Sequence, residues 1–216
     1  MAPAERAIAS RTPPPASPTI KQLGLVEYEP TWRAMQDFTA RRGADTRDEL
    51  WIVEHPPVFT VGLNGQPEHL LRRSEIPVVK VDRGGQITYH GPGQVLIYLL
   101  LDLRRRGYGI RELVRRMERA VIALLADEGV TAEGRRDAPG VYVDGAKIAA
   151  LGLRVRNGCC YHGLSFNVDL DLAPFADINP CGYAGLKVTR TRDLGLDLSV
   201  DSAGRRLSET LLHLLD

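Results

Sequence analysis

The chain has no apolar run long enough to cross a bilayer. Its longest, residues 95–101, has the length of a strand, against the roughly 20 residues a membrane helix requires. Charge of either sign is not in excess: Lys and Arg total 28, Asp and Glu 27, and the formal net charge is +1. Recognition of a polyanion by bulk charge is therefore excluded, and neither nucleic acid nor membrane is an expected partner. Cysteine is scarce. Cys159, Cys160 and Cys181 cannot all pair, and the first two are adjacent, which strains a mutual bridge; a reducing, cytoplasmic setting is expected. Lysine is scarcer still than the basic total suggests, with four residues (Lys21, Lys80, Lys147, Lys187) against 24 arginines, so each lysine invites inspection.

What is present is ordinary for a globular chain: 216 residues, 44% hydrophobic and 25% charged. A domain of this size buries about 70% of its unfolded surface. Residues 1–18, dominated by Pro, Ala, Ser and Arg, read as a disordered tail without the apolar core of a secretion signal, and 19–216 as a single domain. Helical spacing marks 31–42 (Trp32, Met35 and Phe38 on one face, Thr31 at the cap), 110–128 and a short helix near 207–215. Strands are expected at 49–53, 58–61, 78–81 and 94–103. Asp144-Gly145 and Asn157-Gly158 are favoured two-residue turns that join 141–143, 146–156 and 159–170 into a meander. The expected fold class is mixed α/β (α+β), a central and largely antiparallel sheet flanked by helices, with too few βαβ units for a doubly wound sheet.

Three segments carry candidate chemistry. In the first, Arg83-Gly84-Gly85-Gln86-Ile87-Thr88-Tyr89-His90, paired glycines after a strand let backbone N–H groups approach a ligand. Arg83 adds a fork of donors suited to carboxylate or phosphate. The plainer reading is a pair of hairpin turns with an exposed arginine. The spacing fits neither the dinucleotide fingerprint nor the phosphate loop, so those two modes are not expected.

The second segment is the meander. A two-residue turn at 157–158 pairs Val155 with Cys160, Leu153 with His162, Leu151 with Leu164 and Ala149 with Phe166 on an apolar face. Gly152 then faces Gly163, and Ala150 faces Ser165, on the other. Facing glycines bare the backbone, for a ligand chain or for another packed segment. Lys147 falls by parity on the apolar face, opposite Val168. It either snorkels at the sheet edge or is a desolvated amine with a lowered pKa.

The third segment, 179–185, holds Cys181 among Pro and Gly, where kinks present a side chain; Cys159 and Cys160 sit in a strand and read as structural. Free lysine titrates about two pH units above free cysteine, so a contacting Cys–Lys pair tends toward thiolate and ammonium. Such a dyad suits acyl transfer between thiols and amines. A metal centre is not expected, because Cys160-Tyr161-His162 is too tight for usual zinc spacing and no second cluster follows. The five histidines offer no arrangement diagnostic of a cysteine protease.

Four ordered motifs, 83–94, 137–155, 162–168 and 178–189, together resemble the lipoyl(octanoyl) transferases, and the likeness runs over roughly residues 20–215. The resemblance implies the fold of the biotin/lipoate protein ligases, no cofactor, and transfer of an octanoyl group from octanoyl-acyl carrier protein. The implied acceptors are lysines on lipoyl domains of 2-oxoacid dehydrogenase E2 subunits and on the glycine cleavage H protein. By the same resemblance Cys181 carries the acyl group as a thioester, and Lys147 lowers its pKa and acts as acid and base. Acyl contacts fall on Arg83, Gly84, Gly85, Gln86, Ile87, Thr88, Tyr89 and His90, on Ala150, Leu151 and Gly152, and on Gly163, Leu164 and Ser165. Ala150, where serine is frequent, and Ser165, where alanine is frequent, depart from common forms of the pattern. If Lys147 and Gly152 are to line one pocket, the strand between them must carry an irregularity, because regular alternation puts them on opposite faces. The rival readings are an ATP-dependent lipoate or biotin ligase, which has no use for an acyl-cysteine, and a non-catalytic effector-binding protein of the same fold.

Overall fold

The computed structural model describes residues 16–215. Among the described residues ten strands form two sheets. The larger is ordered β1 (Thr19–Leu25), β2 (Glu49–Glu54), β6 (Gln94–Asp102), β10 (Cys159–Asn167), β9 (Ala146–Arg156), β8 (Gly140–Val143) and β7 (Glu133–Gly134). Only the β1–β2 pair in it is parallel. The smaller sheet is ordered β4 (Val78–Lys80), β3 (Val58–Val61) and β5 (Ile87–His90).

The continuous apolar run of β6 has a simple cause: it is the central strand, buried on both faces. Val95, Ile97, Leu99 and Leu101 pack with α3 (Ile110–Asp127) and α4 (Val200–Leu215), while Leu96, Tyr98 and Leu100 pack with Met35 of α1 (Tyr28–Arg41). A four-residue helix, α2 (Leu103–Arg106), follows β6, capped by the Asp102 carboxylate, which accepts from the Arg104 and Arg105 amides at 3.1 Å each. Among the described residues no helix is long and apolar enough to cross a membrane.

Both hairpin turns form as expected, with Asp144, Gly145, Asn157 and Gly158 all at positive φ. The β9–β10 register is the expected one, Gly152 against Gly163 and Ala150 against Ser165. Other expectations change. Helix α1 begins at Tyr28, with Thr31 inside it donating its hydroxyl to the Glu27 carbonyl at 2.7 Å. Helix α4 begins at Val200, well before 207. Segment 83–94 is not merely two turns, since β5 lies within it and pairs antiparallel with β3. The expected tail lies outside the described residues up to 15. Its end is tied down, the Ala16 carbonyl accepting from Arg106 and the Ser17 carbonyl from Arg47.

Candidate active site

The site lies where the two sheets meet, and one local fault in β9 creates half of it. Val141 pairs with Ala149 and Tyr142 with Lys147, so Ile148 is an extra residue, a bulge. Ile148 and Ala149 both enter the core beside α3, and the alternation restarts on either side of them. Lys147 is thereby moved to the face of Ala150 and Gly152, by the irregularity that the parity of the strand required. It does not sit opposite Val168. The Lys187–Thr189 segment lies alongside instead, with the Lys147 amide donating to the Lys187 carbonyl (2.8 Å) and the Thr189 amide to the Lys147 carbonyl (2.9 Å).

Lys147 is 4% exposed, which rules out a snorkelling edge lysine. Its Nζ lies 3.2 Å from the Sγ of Cys181, 3.2 Å from the Pro139 carbonyl, and 5.2 Å from the centre of the Tyr142 ring. Burial alone would lower the lysine pKa, but its contacts with Cys181 and the Tyr142 hydroxyl favour the charged form more strongly and the pKa is raised. The lowered pKa expected of a lone desolvated amine is thus overturned: this lysine is an ammonium at neutral pH.

Cys181 reaches it from a short 3₁₀ turn, Pro180–Gly182, and itself adopts the left-handed conformation (φ 57°, ψ 15°) that non-glycine residues avoid. The turn is closed by its own backbone bond and tied down from outside. The Asn179 amide donates to the His69 carbonyl (2.8 Å), the Gly182 amide to the Asn179 carbonyl (3.0 Å), and the Leu71 amide to the Asp177 carbonyl (2.8 Å). Cys160 is fully buried, donates to the Leu99 carbonyl and has its thiol pushed up to about 12 by burial; Cys159 is buried at the turn. Of the three cysteines, Cys181 is the one that lines the cavity between the sheets.

That cavity has a volume of about 460 Å³ and is lined by Lys147, Cys181, Arg83, Gly84, Gly85, Gln86, Ile87, Thr88, His90, Ala150, Leu151, Gly152, Gly163, Leu164 and Ser165. Tyr89 is the one expected residue the structure does not bring to it. In β5 the side chains alternate, and Tyr89 turns into a small core with Phe59 and Phe175.

Arg83 is neither exposed nor free to grip a substrate. One terminal nitrogen donates to the Thr60 carbonyl and hydroxyl (2.7 Å each), the other to the Gly84 (3.1 Å) and Gln86 (2.9 Å) carbonyls. Its buried Nε has no partner, and among the described residues no carboxylate pairs with the guanidinium. The methylenes of Arg83 lie over Gly152, where an added Cβ would stand 3.0 Å from Cδ, and the Gly84 amide donates to the Leu153 carbonyl at 2.9 Å. Gly152 therefore admits the arginine stem, and Gly163 admits the Ile97 carbonyl of β6, so packing explains both glycines.

His90 is buried and neutral, its pKa taken down to about 3 chiefly by burial. Its Nδ1–H donates to Gln94 Oε1 (2.7 Å), and its ring stacks on Tyr28 at 5.8 Å. Residues the sequence did not point to also line the cavity: Tyr28, Tyr98, His162, Ile110, Val114, Ala138, Pro139 and Tyr183. Behind His162 stands Asp82, which accepts from His162, Tyr161, Trp32 and Gln36. Burial would raise this carboxyl, but its four donors hold it far below the usual range. Ala138 and Pro139 fall inside motif 137–155, His162 inside 162–168 and Tyr183 inside 178–189, and these four were legible only there.

A family model for the lipoyl protein ligase A/B catalytic domain matches residues 27–212. An octanoyltransferase of Chromobacterium violaceum is 67% identical over 188 residues, 87% of this chain and 91% of that protein. One of Thiobacillus denitrificans is 66% identical over 201 residues, 93% of this chain and 92% of that protein. Among solved structures, a bipartite lipoate protein ligase studied with its E2 lipoyl domain from Thermoplasma acidophilum superposes with a TM-score of 0.72 at 17% identity, covering 92% of this chain and 84% of that one. At that identity the likeness concerns the fold.

Proposed function

The chain belongs to the lipoyl protein ligase A/B catalytic family and, within it, to the octanoyltransferases, and on that premise we propose that Cys181 carries the acyl group as a thioester between two protein partners. It is an acyltransferase of octanoyl groups in protein lipoylation. The donor is octanoyl-acyl carrier protein, and the acceptors are lysines of lipoyl domains in 2-oxoacid dehydrogenase E2 subunits and in the glycine cleavage H protein. The observation that carries the reading is the 3.2 Å contact of Nζ and Sγ at the wall of the cavity.

The first half-reaction is thioester exchange. The Cys181 thiolate attacks the donor carbonyl, the tetrahedral adduct expels the phosphopantetheine thiolate, and Lys147 gives it a proton. Lys147 is then a neutral amine held by the Pro139 carbonyl. In the second half-reaction the acceptor lysine, as a free amine, attacks the acyl-enzyme. Its surplus proton passes to Lys147, Cys181 leaves as thiolate, and the ammonium–thiolate pair is restored. Thioester exchange is nearly balanced and amide formation from a thioester is downhill, so the cycle closes without ATP. Arg83, fixed and without a carboxylate partner, adds positive potential on the same cavity. The alkyl chain lies against the apolar wall that includes Leu151, Leu153, Leu164 and Val114.

Intact-mass measurement after mixing the enzyme with octanoyl-acyl carrier protein and no acceptor tests this. One hydroxylamine-labile octanoyl adduct is expected, absent from Cys181→Ser and retained in Cys159→Ser and Cys160→Ser. Lys147→Ala is expected to slow adduct formation about a hundredfold at pH 7 and to regain part of the rate at higher pH. An adduct on another residue, or activity that strictly requires ATP, overturns the reading.

A further inference from the structure

Beside Cys181 and Tyr142, one peptide group holds the Lys147 ammonium. The Pro139 carbonyl accepts from Nζ at 3.2 Å, and the N–H of the same peptide, on Gly140, donates to the Oε1 of Glu118 at 3.1 Å. The C=O and N–H of a planar trans peptide point in opposite directions, so whatever fixes one end aims the other. The joint beside it turns easily. Gly140 has φ 146°, and a Cβ there would meet the Ala149 carbonyl at 2.8 Å and the Lys147 Cε at 3.0 Å, so glycine is required and stiffness must come from elsewhere. The two preceding carbonyls are tied as well, Asp137 by the Tyr183 hydroxyl (2.9 Å) and Ala138 by the Tyr142 hydroxyl (2.7 Å). Glu118 is the latch on the far side of this loop. It stands on α3 in line with Ile110 and Val114, four residues apart on the face that lines the cavity, and it packs against Gly134 of β7.

We propose that Glu118 is a positioning residue for the transfer: by holding the Gly140 N–H it points the Pro139 carbonyl at Lys147 and so keeps the ammonium on Cys181. Glu118 does not line the cavity and exchanges no proton in the cycle. This inference rests on the Cys181–Lys147 reading. The other charged or titratable groups around the pair are Tyr142 from β8, Arg83 from the loop after β4, and His69 and Tyr183 beside Gly182.

The test is the pH profile of Cys181 alkylation by iodoacetamide, located by peptide mass, together with steady-state transfer. Glu118→Ala is expected to move the profile up by about one pH unit, because the ammonium loses its aim. It is expected to lower kcat about tenfold with the donor KM within about twofold. Glu118→Gln keeps an oxygen for the Gly140 N–H and is expected to recover most of both. Loss of a negative charge acting only through space would shift the profile down, so the sign separates the two effects. A profile that stays in place or falls in Glu118→Ala overturns the proposal. The profile is a property of the folded molecules and does not depend on their fraction; should Glu118→Ala not fold at all, Glu118→Leu replaces it on the same terms. If Lys147→Ala also leaves the profile in place, the dyad itself is wrong. If Lys147→Ala moves it and Glu118→Ala does not, only the role of Glu118 falls.

Discussion

Gly152 and Gly163 face each other across β9 and β10 but answer to different neighbours. An added methyl at Gly163 would collide with the Ile97 carbonyl, which is backbone of the central strand and has nowhere to go. At Gly152 it would press on the Cδ of Arg83, which has some freedom below its anchored head. Gly163→Ala is therefore expected to cost about 2 kcal/mol in urea unfolding and Gly152→Ala less than about 1 kcal/mol. Equal losses would show that the two sites give alike. Rarity made two residues of the site legible in the sequence: Lys147 as one lysine among many arginines, Cys181 as a cysteine in a kinked segment. Glu118, Asp82 and Tyr98 were not legible, because each acts through partners far along the chain. Arg83 was legible as a residue of interest but misread in orientation, since nothing local says that four acceptors from Thr60, Gly84 and Gln86 would consume its donors.

At the scale of elements, the Asn-Gly turn fixed the β9–β10 register from local chemistry, the β8–β9 register holds only from the Asp-Gly turn to the bulge, and the periodicity of α3 fixed that helix within a residue. Strands β1 and β5 escaped for physical reasons. β1 is an edge strand with most of its side chains in solvent, so it shows no alternation. β5 is four residues, all buried, set between glycine-rich turns that dominate the local signal. An irregularity between 147 and 152 was expected on the condition that both line one pocket, and the structure places it as a bulge at Ile148. Both Ile148 and Ala149 are buried in the main core, so truncating the extra residue, Ile148→Ala, is expected to cost about 3 kcal/mol in urea unfolding. A cost under about 1 kcal/mol would mean that the bulge is a loose loop and not a packed device.

The whole molecule carries a reserve of buried neutral histidine. His55 is 0% exposed, its Nδ1–H donating to the Val26 carbonyl and its Nε2 accepting from the Tyr98 hydroxyl, each at 2.6 Å. Burial takes its pKa down from 6.5 to about 4, and that of His90 to about 3. The unfolded chain therefore binds more protons than the folded one as pH falls below 6.5. The stability these residues permit at pH 7 is lost progressively toward pH 4 and below. His55 alone accounts for about 2 kcal/mol between pH 7 and pH 5. Urea midpoints at the two pH values are expected to diverge less in His55→Gln than in the parent chain; an equal divergence would mean that the ring is hydrated.

The 3₁₀ turn of Cys181 packs on β5 of the small sheet, whereas the side chain of Lys147 springs from β9 of the large one. The gap between sulfur and nitrogen thus gauges how well the two layers are seated.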